Sequence, residues 1–106
     1  MEWKLLNHPD QLDEIITSSH HHPQYIFKHS TRCSISTVAK NRLEKGVSGN
    51  TAIYYLDLLT YRSISNEISN RWDVVHQSPQ LLKIENGICT YHASHLEIEA
   101  EEVVSC

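Results

Sequence analysis

The sequence predicts an α/β fold in which a mixed central β-sheet of about four strands is flanked by helices. Segments with helical spacing alternate with short apolar segments in the first half, which is typical of parallel strands with right-handed crossovers. The run AIYYLDLL at 52–59 is almost unbroken in apolar residues, as expected of a strand buried on both faces. Asn86-Gly87 between two apolar segments is a strong signal for an antiparallel hairpin.

The spacing of apolar residues predicts the individual elements. Leu12, Ile15 and Ile16 fall on one helical face, and Pro9 suits the first turn of that helix. Ile64, Ile68 and Trp72 are spaced four residues apart and predict a later helix in the same way. The predicted order is α-β-α-β-α-β-β-α, with elements at 8–19, 25–29, 52–59, 62–72, 81–85 and 88–92. The second helix opens at Cys33 and stops near Gly46, and the last helix begins at Ser94 and reaches Val103.

Two helices and the hairpin carry more detailed expectations. The inward face of the second helix is predicted to hold Ile35, Val38, Ala39 and Leu43. The last helix is predicted to begin with a capping box of Ser94 and Glu97 and to bury Leu96, Ala100 and Val103. A two-residue turn would pair Ile84 with Cys89 and Leu82 with Tyr91, which puts all four on one face.

Length and composition limit the class of protein. The 106 residues, 40% of them hydrophobic, suit a single domain over 1–106. The net charge of −4 and the absence of a basic stripe argue against a nucleic-acid partner. No apolar stretch reaches the roughly 18 residues of a membrane helix, and the N-terminus lacks a signal-peptide pattern. We therefore expect a cytoplasmic protein whose three cysteines are reduced.

Cys33 is the candidate reactive residue. It lies where a strand turns into a helix, and unpaired N–H groups at a helix start favour a thiolate. The permanent charge of Arg32 and a nearby His29 would also favour a thiolate, so we expect a lowered pKa and an exposed side chain. The alternative from these residues alone is a small buried cysteine without reactivity.

The position of Pro79 links Cys33 to a known fold. A proline just before a strand, followed by a hairpin, resembles the thioredoxin fold, in which a cis-proline faces the active-site cysteine. An ordinary trans proline at a strand start is the alternative. The segments FKHSTRCSIS (27–36), HQSPQLLKIENG (76–87) and YHASH (91–95) together resemble the monothiol bacilliredoxin family, over about residues 3–102.

The resemblance implies a function. Bacilliredoxins of Firmicutes remove the small thiol bacillithiol from protein cysteines by taking it onto their own cysteine. The nucleophile would be Cys33 and the cis-proline Pro79, with Ser78 and His76 in the substrate groove. The implied partners are S-bacillithiolated client proteins, with bacillithiol as co-substrate or a reductase for recycling. The chain is expected to be a monomer with no bound cofactor.

Two positions after Cys33 matter for the mechanism. The family usually has proline where this chain has Ser34, which adds a backbone N–H near the sulfur and is expected to change the redox potential. Ser36 stands where a dithiol enzyme carries a resolving cysteine. The C-x-x-S pattern therefore favours exchange with small-thiol adducts over internal disulfide formation.

The remaining candidates receive simpler interpretations. Cys89 is expected in the core. Cys106 is expected to be an incidental exposed thiol, and the alternative is that it forms a disulfide with Cys33, within one chain or between two. The histidines at 20–22 are expected in a solvated loop without a metal, and His92 and His95 near the last turn. Two other functions stay open. One is the use of a different small thiol or an iron–sulfur cluster, and the other is a non-catalytic interaction module.

Overall fold

The computed structural model describes residues 1–47 and 49–103. Its elements are β1 (Glu2–Leu5), α1 (Asp10–Ser19), β2 (Gln24–His29), α2 (Ser34–Gly46), β3 (Ala52–Asp57), α3 (Arg62–Trp72), β4 (Gln80–Glu85), β5 (Ile88–Ser94) and two 3₁₀ turns, His95–Glu97 and Ala100–Glu102. The five strands form one sheet in the order β1-β3-β2-β4-β5. β1, β3 and β2 run parallel to one another. β4 runs antiparallel to β2, and β5 runs antiparallel to β4. The predicted mixed α/β sheet is confirmed, with one strand more than expected.

The additional strand is β1 at the edge of the sheet, where it pairs with β3 from Glu2 opposite Ala52 to Leu5 opposite Tyr55. Edge strands commonly carry charged residues, and Glu2 and Lys4 are exposed here. The segment therefore lacks the apolar run that identified the inner strands. In the described part of the chain, no helix is long and apolar enough to cross a membrane.

The predicted C-terminal helix is wrong. Residues 95–103 contain two short 3₁₀ turns instead, and Ser94 stays in β5 without a capping hydrogen bond from its side chain. Ile98 and Val103 are buried, whereas Leu96 is 56% exposed. A spacing of five residues between the two buried side chains does not match a helical face, so packing against α2 outweighs the local helical pattern.

The inward face of α2 differs from the predicted one. Ser36, Ala39 and Leu43 are buried, at spacings of three and four residues. Ile35 and Val38 are 40% and 44% exposed. The helix is therefore rotated so that a serine, rather than an isoleucine, faces the sheet at its first turn.

The hairpin register is predicted correctly only next to the turn. Ile84 pairs with Cys89, but an irregularity between Lys83 and Ile84 pairs Leu82 with His92 and Lys83 with Tyr91. Lys83 and Ile84 point to opposite faces of β4, so their partners Tyr91 and Cys89 also lie on opposite faces of the sheet. Cys89 is partly buried and packs against the core on the α1 and α3 side.

Two hydrophobic cores cover the two faces of the sheet, and β2 in its middle supplies both. Ile26 packs in the core formed with α1 and α3. Phe27 packs in the core formed with α2. The same alternation directs Lys28 towards α3 and His29 towards α2, just before the chain turns to Cys33.

Candidate active site

Cys33 is the N-cap residue of α2, with the extended backbone (φ −114°, ψ 120°) that is usual at this position. Its N–H donates to the Ser30 carbonyl at 3.2 Å, and its carbonyl accepts from Thr37 N–H at 3.2 Å. The Cys33 side chain makes no capping hydrogen bond, so the first-turn N–H groups stay open to an anion beside the sulfur. Cys33 is partly buried rather than fully exposed.

Ser36 ties the start of α2 to the end of β2. Its side chain is fully buried, and its hydroxyl oxygen accepts from Ser30 N–H at 3.0 Å. The same oxygen lies 2.7 Å from Nδ1 of His29. The turn that carries Cys33 is thus closed by a hydrogen-bonded serine at the fourth position of the C-x-x-S motif.

His29 is held in an aromatic environment on the α2 face of the sheet. Its ring stacks on Phe27 at 5.8 Å between centroids and lies 5.4 Å from Tyr55. Burial and the positive charge of Lys40 lower the pKa of His29, and the charge of Asp57 opposes them. The imidazole is therefore neutral at neutral pH and suited to hydrogen bonding with Ser36.

Pro79 lies at the same end of the sheet as the turn that carries Cys33, the end at which β2 finishes and β4 begins. The Ser78–Pro79 peptide bond is cis, as the sequence predicts. The antiparallel register pairs Lys28 with Gln80, which brings Pro79 opposite the end of β2. The Pro79 carbonyl accepts from the N–H of His95, a residue with a positive φ of 56°, so the segment after β5 supports this loop.

A second polar cluster lies on the opposite face of the sheet. The Lys28 side chain is 0% exposed, and its Nζ donates to the Ser65 carbonyl and to Ser69 Oγ, both at 3.1 Å. The same Nζ lies 3.3 Å from Nδ1 of His76. Burial lowers the pKa of Lys28 from its ordinary value to about 8.

Gln80 adds a further contact between β4 and the proline loop. Its side chain is buried, and its Nε2 donates to the Val75 carbonyl at 3.0 Å. Among the described residues, the buried Ser78 hydroxyl and Gln80 Oε1 have no hydrogen-bond partner. The Gln80 side chain thus joins the start of β4 to the backbone of the loop before Pro79.

The structure thus divides the predicted site residues into two groups. His29 and Ser36 lie together on the α2 face, and His76 lies with Lys28 on the α3 face. Arg32 and Ser34 are exposed beside Cys33.

The other predicted residues lie apart from these groups. Burial raises the pKa of the Cys89 thiol. The histidines at 20–22 are exposed, and the described residues contain no cluster of three or more ligands fit for a metal. Cys106 lies outside the described residues.

The sequence analysis missed Lys28 and Gln80. Both adjoin residues that it did identify, and a lysine within YIFKH was the available signal. A charged residue inside an aromatic and β-branched strand needs a buried partner, because an unpaired buried charge is costly. The partners come from α3, which is distant in sequence, so the network itself could not be predicted.

Comparison with known families identifies the chain. A family model described as monothiol bacilliredoxin BrxC matches residues 4–103. The chain belongs to the monothiol bacilliredoxin BrxC family. This membership confirms the prediction made from the three motifs. It implies a bacilliredoxin-type role in thiol redox chemistry, related to bacillithiol.

Solved structures agree with the thioredoxin-like fold of this BrxC family member. A protein described as a candidate oxidoreductase with a thioredoxin fold superposes with a TM-score of 0.84 at 27% identity, covering 93% of this chain and 88% of that one. Spinach chloroplast thioredoxin f gives 0.68 at 11% identity, with coverages of 89% and 81%. Malassezia sympodialis thioredoxin gives 0.68 at 13% identity, with coverages of 96% and 84%. The last two similarities concern the fold alone.

Proposed function

We propose that this chain is a cytoplasmic thiol–disulfide oxidoreductase that removes bacillithiol from S-bacillithiolated protein cysteines. The observation that carries the proposal is Cys33 at the N-cap of α2, within a C-x-x-S motif, in a chain of the BrxC family. Open N–H groups at the helix start would stabilise the attacking thiolate. The exposed Arg32 would add a positive charge, and Ser34 an N–H group that the family's usual proline lacks.

The reaction is a thiol–disulfide exchange. The Cys33 thiolate attacks the bacillithiol sulfur of the mixed disulfide, and the client cysteine leaves as a thiolate. A new disulfide then joins Cys33 to bacillithiol, so the client is reduced and the enzyme carries the adduct. The backbone beside Pro79 would hold the substrate by strand-like hydrogen bonds, in the groove that also includes Ser78 and His76.

The second half of the cycle needs another thiol, because Ser36 cannot form a disulfide. Its buried hydroxyl is hydrogen bonded to Ser30 and His29, which supports a positioning role. A second bacillithiol thiolate attacks the bacillithiol sulfur on Cys33, releases the Cys33 thiolate and leaves as bacillithiol disulfide. A dedicated reductase acting on the same adduct is the other route for recycling.

The test is the transfer of bacillithiol from a bacillithiolated model protein, followed by mass spectrometry. Wild type is expected to gain one bacillithiol at Cys33, and Cys33→Ala is expected to gain none. Cys89→Ala is the matched control, because its thiol has a raised pKa and should contribute no thiolate. An adduct that stays on the model protein with wild type would contradict the proposal.

A further inference from the structure

The cluster around Lys28 defines the state of the His76 ring. The Lys28 ammonium group carries three N–H bonds and no acceptor, and it faces the Ser65 carbonyl, Ser69 Oγ and Nδ1 of His76. Each of these three atoms can accept one hydrogen. An ammonium beside Nδ1 requires that this nitrogen carry no proton.

The charge of His76 follows from the same surroundings. Burial, the positive charge of Lys28 and the positive charge of Arg62 at the start of α3 all lower the pKa of His76. The ring is therefore neutral at neutral pH and carries a single proton. With Nδ1 as the acceptor, that proton is on Nε2.

Ser65 does not change this conclusion. Its hydroxyl lies 3.3 Å from Nδ1 of His76 and can either donate to it or accept from it. A hydroxyl alone thus permits both tautomers, whereas the ammonium group permits only one. The selection of the tautomer depends on Lys28.

The location of His76 gives this selection a consequence. His76 is exposed three residues before Pro79, and Gln80 holds the neighbouring Val75 carbonyl at 3.0 Å. Because Nδ1 faces Lys28 and Ser65, the second ring nitrogen is the one left to meet a group outside this cluster. A neutral Nε2–H group is a hydrogen-bond donor, whereas the other tautomer would offer an acceptor there.

We propose that Lys28 is a positioning residue that holds His76 in its Nε2-protonated form, so that His76 donates a hydrogen bond to an acceptor group of the bound mixed disulfide. This inference rests on the proposed function, because it assumes that a mixed disulfide occupies the groove at Pro79. Lys28 itself is fully buried and does not touch the substrate.

The tautomer can be measured without any assay of activity. In ¹⁵N NMR spectra of the wild-type protein at neutral pH, His76 is expected to have a protonated Nε2 and an unprotonated Nδ1. Lys28→Met is expected to give a mixture of both tautomers, whereas Ser69→Ala, which keeps the contact of Lys28 with His76, is expected to leave the spectrum unchanged. A protonated Nδ1 in wild type would overturn the inference.

Two variants of His76, which lies in neither hydrophobic core, test the donor in the transfer reaction. Glutamine places its amide N–H near the position of Nε2, and asparagine places it near Nδ1. His76→Gln is expected to keep a KM close to that of wild type. His76→Asn is expected to raise KM about three- to tenfold with little change in kcat, as for the loss of one hydrogen bond. Equal KM values for the two variants would contradict the proposed donor.

A double variant tests whether Lys28 acts through His76. Lys28→Met alone is expected to raise KM, and the same change in a His76→Ala background is expected to have no further effect. An undiminished effect in that background would contradict the coupling. If wild type transfers no bacillithiol, the proposed function fails, whereas a wrong tautomer with active wild type overturns only the role of Lys28.

Discussion

Ser36 occupies the position at which a dithiol oxidoreductase carries its second cysteine, and its hydroxyl has a structural partner on each side. Ser30 N–H donates to it at 3.0 Å, and His29 Nδ1 lies 2.7 Å away. These contacts join the first turn of α2 to the end of β2, across the turn that carries Cys33. The monothiol motif of this protein is therefore part of how the proposed nucleophile is positioned.

Removal of this hydroxyl has a predictable cost. Ser36→Ala leaves Ser30 N–H without its acceptor in a partly buried site, so we expect a loss of about 1–2 kcal/mol in the free energy of unfolding. Ser34→Ala is the matched control, because Ser34 is exposed at the same helix start and should change stability by less than about 0.5 kcal/mol. Urea denaturation of the reduced proteins measures both, and similar values for the two would argue against the structural role of Ser36.

Sequence patterns identified residues that belong to short motifs and missed those that depend on distant partners. The KHSTRCSIS and SPQ segments indicated Cys33 and Pro79, and the cis peptide before Pro79 is confirmed. The burial of Ser36 in place of Ile35 was not predicted, because apolar periodicity gives no weight to a buried serine. Lys28 was missed because its hydrogen-bond partners come from α3.

Close packing between α2 and the C-terminal turns shows how elements share one core. A Cβ atom at Gly46, the last residue of α2, would clash with the Cβ of Ala100. Ile98 and Val103 are buried in the same core on either side of this contact. Glycine at the end of α2 thus permits residues 98–103 to approach the helix closely.

This contact predicts that Gly46→Ala lowers the stability of the protein and that Ala100→Gly relieves the effect. Gly46→Ala forces the two elements apart and is expected to cost about 1–3 kcal/mol of stability, more than the gain from replacing a helical glycine. In an Ala100→Gly background the clash disappears, so the same change should cost little or become stabilising. Thermal or urea denaturation of the four proteins tests this, and an equal cost in both backgrounds would exclude the contact as the cause.

The elements predicted correctly are those whose apolar pattern agrees with their packing. α1, α3 and β3 fall within a few residues of their expected positions. The edge strand β1 was missed because it exposes charged residues, and the C-terminal helix was wrong because its residues instead pack as 3₁₀ turns on α2. In both cases tertiary contacts outweighed the local pattern.

At the scale of the whole molecule, a positive charge lies in the middle strand of the sheet. Burial lowers the pKa of Lys28 from 10.5 to about 8. Between these values the unfolded chain binds a proton that the folded chain has released, so this group makes the free energy of unfolding rise with pH. The penalty for burying the charge is fully present below pH 8 and is removed as pH rises towards 10.5.

Comparison of the free energies of unfolding of wild type and Lys28→Met isolates this contribution. Relative to the variant, wild type is expected to gain about 2 kcal/mol between about pH 7 and pH 9.5. Urea denaturation at a series of pH values measures the difference, and other titrating groups largely cancel between the two proteins. A difference that is constant across this range would mean that Lys28 keeps its ordinary pKa.

The two tryptophans lie against opposite faces of the sheet, so the fluorescence of each reports on a different face. Trp3 packs with Phe27 and donates from its indole nitrogen to Glu44 at 2.7 Å, on the side of α2. Trp72 packs against the other core and donates to the Gly87 carbonyl at 3.1 Å. Fluorescence of single-tryptophan variants would therefore distinguish structural changes on the α2 face, near Cys33, from structural changes on the α3 face.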